Sequence, residues 1–153
     1  MAPLAGFERK GILTLHRSGL AVCDTSKEKT KNANVPVLVM ISGYPDTVDT
    51  WDNLLDELKD SYHLVAMAYP GLDARDYAAS DGDVPAPWGY TMQTIEMALL
   101  EVLQEYRDKY GCQRVYIMGH DWGAAPVIFL ARDFPQAATK FVLEDAGSFH
   151  LLT

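Results

Sequence analysis

The chain has 153 residues, 48% of them hydrophobic and 22% charged, a balance that suits one globular domain with a real core and excludes a disordered segment. A formal net charge of −8 argues against nucleic acid as a partner, because phosphate binding wants a basic face. The longest clean apolar run, "VPVLVMI", is far too short to span a bilayer, and "MAPLAGFERKG" lacks the apolar core of a signal peptide.

The chain therefore reads as a soluble protein. Cys23 and Cys112 stand far apart without metal-type spacing, and read as two isolated thiols. A reducing, cytoplasmic location fits them.

In chain order, "KGILTLHR" and "LAVCD" meet at Ser18-Gly19 and suit a β-hairpin. The lysine-rich stretch Thr25 to Asn34 reads as a solvated loop rather than a basic binding patch. "VPVLVMIS" reads as a strand buried on both faces. "SGYPDTVDT" is turn chemistry. Trp51, Leu54, Leu55 and Leu58 then fall on one face of a helix that Thr50 or Asp49 would cap. "YHLVAMAYPG" is a second buried strand, and His63 at its start reads as a strand-edge residue.

Residues 70–89 form a long loop, of the kind that is often functional. Met92, Ile95, Leu99, Val102 and Tyr106 make one helical stripe, capped by Thr91 and ended by Gly111. This stripe is core, not a cofactor box. "RVYIM" is a third buried strand, "WGAAPVIFLARDF" a helix and "KFVLED" a fourth strand. After the hairpin the order is β-α-β-α-β-α-β, which predicts a mostly parallel sheet with helices on both faces.

Asp121 falls where the third buried strand turns into a helix. In open α/β sheets ligands bind at the carboxyl ends of strands. Gly119 and Gly123 flank it at two residues on either side, as a sharp strand-turn-helix requires. The spacing Gly119-His120-Asp121-Trp122-Gly123 has the form of a nucleophile elbow with Asp where Ser is commoner. The bland alternative is that Asp121 merely caps the helix. Phosphate-cradling glycine motifs are absent from the sequence.

A carboxylate is already ionised near neutral pH and attacks without a base to deprotonate it. It suits displacement at a saturated carbon bearing a leaving group, giving an alkyl ester that water must then cleave. The charge that develops on the Asp121 oxygen needs backbone N–H donors. Trp122 N–H is one candidate. Tyr44 N–H, in the loop "SGYPDT", is the other, with Gly43 allowing close approach.

"GHDWGA" after a strand, with "SGYPDTVDTWDNL" about 75 residues earlier, resembles the epoxide hydrolase and haloalkane dehalogenase branch of the α/β-hydrolase fold. The resemblance covers nearly the whole chain. It implies the N-terminal part of an α/β-hydrolase core, with an antiparallel hairpin leading into the mostly parallel sheet. Asp121 is then the nucleophile, and Tyr44 and Trp122 line the oxyanion hole. The aromatic residue at position 44 looks more like epoxide hydrolases than dehalogenases. The resemblance implies a small hydrophobic electrophile as substrate, and neither a cofactor nor a metal.

Three features depart from the family pattern. Ser42 stands where the usual His-Gly-x-Pro loop has its histidine. Pro126, counted from Asp121, falls one position beyond the free N–H groups of a first helical turn, which predicts a lost hydrogen bond or a bend. The expected cap, later strands, acid and late histidine do not occur in the 153 residues, so the chain reads as one partial core domain, 1–153, unable to complete turnover alone. His150 reads as a surface histidine. Asp145, after the fourth strand and beside Glu144, is the candidate for the acid that orients a base. The competing reading is a non-catalytic interaction module. In either reading an exposed sheet edge would favour self-association. A nucleotide-binding domain is disfavoured by the missing glycine fingerprint.

Overall fold

The computed structural model describes residues 8–10, 22–24, 34–68 and 91–147. Its six strands are β1 (Glu8–Lys10), β2 (Val22–Asp24), β3 (Val37–Ile41), β4 (His63–Met67), β5 (Val115–His120) and β6 (Lys140–Glu144). Its helices are α1 (Asp52–Leu58), α2 (Met92–Tyr110) and α3 (Ala124–Asp133), with short 3₁₀ turns at Val48–Trp51 and Asp121–Gly123. The strands form one sheet in the order β1-β2-β4-β3-β5-β6.

The sheet is parallel from β4 through β3 and β5 to β6. β2 runs antiparallel to β4, and β1 antiparallel to β2. The tight hairpin expected at Ser18-Gly19 is not supported. A two-residue turn there would set Asp24 opposite Leu13, whereas Asp24 faces Glu8. Strand register follows packing and loop length together, and a Ser-Gly pair alone does not fix it. The turn itself, the stretch from 25 to 33, the loop 70–89 and His150 lie outside the described residues.

β3 and β4 are buried along their whole length, as their continuous apolar runs require. One face carries Val37, Val39, Ile41, Val65 and Met67 against Leu99 and Leu103 of α2 and Val127 and Leu130 of α3. The other carries Leu38, Met40, Leu64 and Ala66 against Val48, Trp51 and Leu55. Helices thus cover both faces. Every stripe residue of α2 from Ile95 to Tyr106 is buried. Thr91 caps α2 through the Thr94 N–H, and Gly111 ends it in the left-handed region at φ 63°.

Four local readings change. The helix entry is capped one turn earlier than expected, by Thr47, whose hydroxyl accepts from Asp49 N–H. A 3₁₀ turn comes first, so Thr50 and Asp49 lie inside the entry. His63 does open β4, but it is more than a strand-edge residue: it is buried, with Tyr106 edge-on at 5.0 Å between ring centroids. β5 runs two residues beyond "RVYIM", to His120. Pro126 is the third residue of α3, because the 3₁₀ turn takes up Asp121–Gly123. The first four N–H groups of a helix have no partner within it, so Pro126 costs α3 no hydrogen bond.

Cys112 is a free, buried thiol, and burial pushes its pKa up. Among the described residues no helix is long and apolar enough to cross a membrane. β6 lies at the end of the described sheet, with Val142 and Leu143 exposed on its two faces.

Glu96 of α2 is buried near Arg132 and Asp133 at the end of α3. Burial, and next the Asp133 carboxylate, push the Glu96 pKa above its ordinary 4.5, while Arg132 works against them. The folded chain therefore holds this proton more tightly than the unfolded chain. That contribution is fully present below 4.5 and is lost as pH rises through the folded value. Asp133 is held below its usual range by Arg132, but it is exposed and screened. Denaturant midpoints from about pH 4 to about pH 8 should therefore fall more steeply for the native chain than for Glu96→Gln. Equal slopes would exclude this proton as their source.

Candidate active site

The register of the central strands builds the site. Ile41 of β3 pairs with Gly119 of β5. Two residues beyond Gly119, β5 has given way to Asp121, and three beyond Ile41, β3 has given way to Tyr44. The backbone N–H of Tyr44 donates to Asp121 Oδ1 at 3.3 Å. These two residues are 77 apart in sequence, and the register of the parallel ladder brings their strand ends side by side.

Asp121 adopts φ 53°, the left-handed region that L residues other than Asn and Asp seldom visit. Such a conformation is held only when its surroundings over-determine it. Here they do. A Cβ on Gly123 would overlap the carbonyl oxygens of Ile41 and Ser42, and one on Gly119 would overlap the Gly123 backbone. A Cβ on Gly43 would strike the Asp121 side chain. The turn can close only with glycine at these places.

Neither the 3₁₀ turn nor α3 carries a side-chain cap at its start. The carboxylate instead accepts from Tyr44 in another loop, so the capping alternative does not describe it. Asp121 also opens the 3₁₀ turn that leads into α3, and the partial positive charge of a helix start favours an anion there. Trp122 follows and is 54% exposed, and Tyr44 is 65% exposed.

Asp145 is placed at the end of the neighbouring strand. His120 pairs with Glu144, so Asp121 and Asp145 are the first residues beyond the same rung of the β5–β6 ladder. Asp145 too has a left-handed φ, 47°. Among the described residues no group of three or more His, Cys, Asp or Glu could hold a metal ion.

Two features were not foreseen. Ser42 ends the run expected to be buried and is buried, but its side-chain partner was not expected: its Oγ donates to Met67 O at 3.3 Å. A cavity of about 320 Å³ lies on the α1 side, lined by Trp51, Leu54, Met118, His120 and Glu144 among others, without Asp121. The His120 ring meets Trp51 edge-on at 6.1 Å. Two-residue alternation along β5 would have put His120 on this face, beyond Tyr116 and Met118.

The fold and this turn define an α/β hydrolase. The chain belongs to the alpha/beta hydrolase fold family, whose family model matches residues 36–153. Its relatives bear out the resemblance to epoxide hydrolases. It is 32% identical over 143 residues to epoxide hydrolase 3 of Xenopus tropicalis, covering 92% of this chain and 35% of that protein. It is 26% identical over 108 residues to epoxide hydrolase 4 of Mus musculus, covering 71% of this chain and 27% of that one. The chain thus spans about a quarter to a third of the length of these relatives. The crystal structure of an epoxide hydrolase from Vigna radiata superposes with a TM-score of 0.63 at 19% identity, covering 94% of this chain and 39% of that one. At that identity the likeness is one of fold.

Proposed function

We propose that this chain carries the nucleophile half of an epoxide-hydrolase-like site. Asp121 Oδ attacks an epoxide carbon, the ring C–O bond breaks, and the epoxide oxygen keeps the electron pair and takes a proton from water. The product is an alkyl ester on Asp121. Water then adds to the ester carbonyl, giving up a proton to the hydroxide that the first step left, and the N–H groups of Tyr44 and Trp122 hold the resulting oxyanion. Expulsion of the alcohol gives a diol and restores the carboxylate. Asp145 is assigned the acid that would orient a histidine base for the second step.

One observation carries this reading. An N–H from a separate loop already points at the carboxylate oxygen of a residue held in the left-handed region. Preorganised donors of this kind supply much of the stabilisation of a charged intermediate. The names of the relatives favour an epoxide over a halide as the electrophile.

With no base assigned among the described residues, the ester is expected to accumulate on the 153-residue chain. Incubation with a small aryl epoxide, followed by intact-mass measurement, should show one added epoxide mass, and peptide mapping should place it on Asp121. A folded protein that stays unmodified, or is labelled elsewhere, would contradict the assignment. Such a result would favour the interaction module.

A further inference from the structure

We propose that Ser42 is a positioning residue: its hydroxyl ties the end of β3 to the end of β4 and so holds the Tyr44 N–H on the Asp121 carboxylate. The role of that N–H in the chemistry rests on the function proposed above. The placement itself does not.

Three consecutive residues make three consecutive contacts. Ser42 is 0% exposed and donates twice to Met67 O, from its backbone N–H at 3.0 Å and from Oγ at 3.3 Å. Its own carbonyl oxygen lies against Gly123 of the elbow. Gly43 follows, close against the Asp121 side chain, and Tyr44 N–H then reaches Oδ1. Ser42 is thus wedged between β4 on one side and the turn that presents Asp121 on the other.

Between Gly43 and the buried Val48 the loop has few anchors of its own. Tyr44 and Pro45 are exposed, so the Tyr44 ring does not anchor its own backbone in a core. The turn is tightened locally by Asp46 N–H donating to Gly43 O at 3.0 Å. That bond joins the loop to itself and fixes nothing relative to Asp121. Val48 and Trp51 hold the far end of the loop, and Ser42 is the buried side chain nearest in sequence to the Tyr44 N–H.

Removing the hydroxyl leaves Met67 O its backbone donor, so no buried carbonyl is orphaned and the fold should survive. What changes is the freedom of the next two residues. A small misplacement of an oriented group has a large effect on rate. In Ser42→Ala the rate at which the Asp121 ester, once formed, is lost to water should fall about tenfold, because that is the step in which the Tyr44 N–H holds the oxyanion.

The decisive test needs no turnover. In the full ¹⁵N-labelled chain, the Tyr44 amide shift should follow ionisation of Asp121, and it should lose that response in Asp121→Asn. In Ser42→Ala the response should fall by at least half, and Tyr44 amide exchange should quicken while Val39 and Ile41 stay as slow as in the native chain. Ser42→Cys, with a weaker donor of similar shape, should fall between the two.

An unchanged Tyr44 response in Ser42→Ala would overturn the proposal. So would faster exchange at Tyr44, Val39 and Ile41 together, because Ser42 would then support the sheet as a whole. Failure of both variants to fold has the same meaning. A native chain with the Tyr44 response but no epoxide adduct would refute the chemistry and leave the positioning role standing.

Discussion

Asp121→Asn is expected to abolish formation of the covalent epoxide adduct, lowering its rate by about 10⁴ or more, as removal of a nucleophile does elsewhere. The substitution isolates the chemistry from the fold. Asn tolerates the left-handed region as well as Asp does, so the φ of 53° is kept without new strain. Its carbonyl oxygen can still accept from Tyr44 N–H. What is lost is the negative charge and the nucleophilic oxygen pair. Adduct mass against time, read beside a melting curve, measures both. A variant that melts like the native chain and stays unmodified supports the nucleophile. A variant modified at the native rate moves the reactive group elsewhere.

Gly123→Ala is expected to destabilise the fold by about 3 kcal/mol, the upper range for forcing extra atoms into a packed interior. The methyl group meets backbone oxygens, those of Ile41 and Ser42, rather than a side chain that could swing aside. The elbow or the end of β3 must move. For a chain of this size that corresponds to a fall in Tm of about 10 °C. Gly147→Ala is the control, since no atom lies near its added Cβ. It should melt close to the native chain. If the two variants melt alike, the elbow and β3 are not packed as tightly as the structure has them.

Much of the architecture was readable from period and punctuation. Continuous apolar runs marked β3 and β4, and a 3.6-residue stripe marked α2, because burial leaves a direct trace in residue type. The elbow was readable because two glycines and a carboxylate at fixed spacing answer a steric demand that few other sequences meet. Less readable were properties that depend on three dimensions. The cap lies before α1 because a 3₁₀ turn precedes it, and Thr47, not Asp49 or Thr50, reaches a free N–H there. Pro126 looked disruptive only while the helix was counted from Asp121. The hydroxyl of Ser42 gave no signal, since a serine at a strand end is ordinary until its partner, 25 residues away, is known.

The contact between Tyr44 and Asp121 depends on register and backbone more than on the side chains around it. The donor is a peptide group, and the strands that deliver donor and acceptor are joined by the ladder of β3 and β5. Residue identity at the exposed Tyr44 position can therefore drift without moving the N–H. A lineage can reshape what surrounds the electrophile, and with it the choice of substrate, while the part that handles charge stays in place. Gly43, Gly119 and Gly123, whose added Cβ atoms would meet backbone or Asp121 itself, are where such drift should be least tolerated.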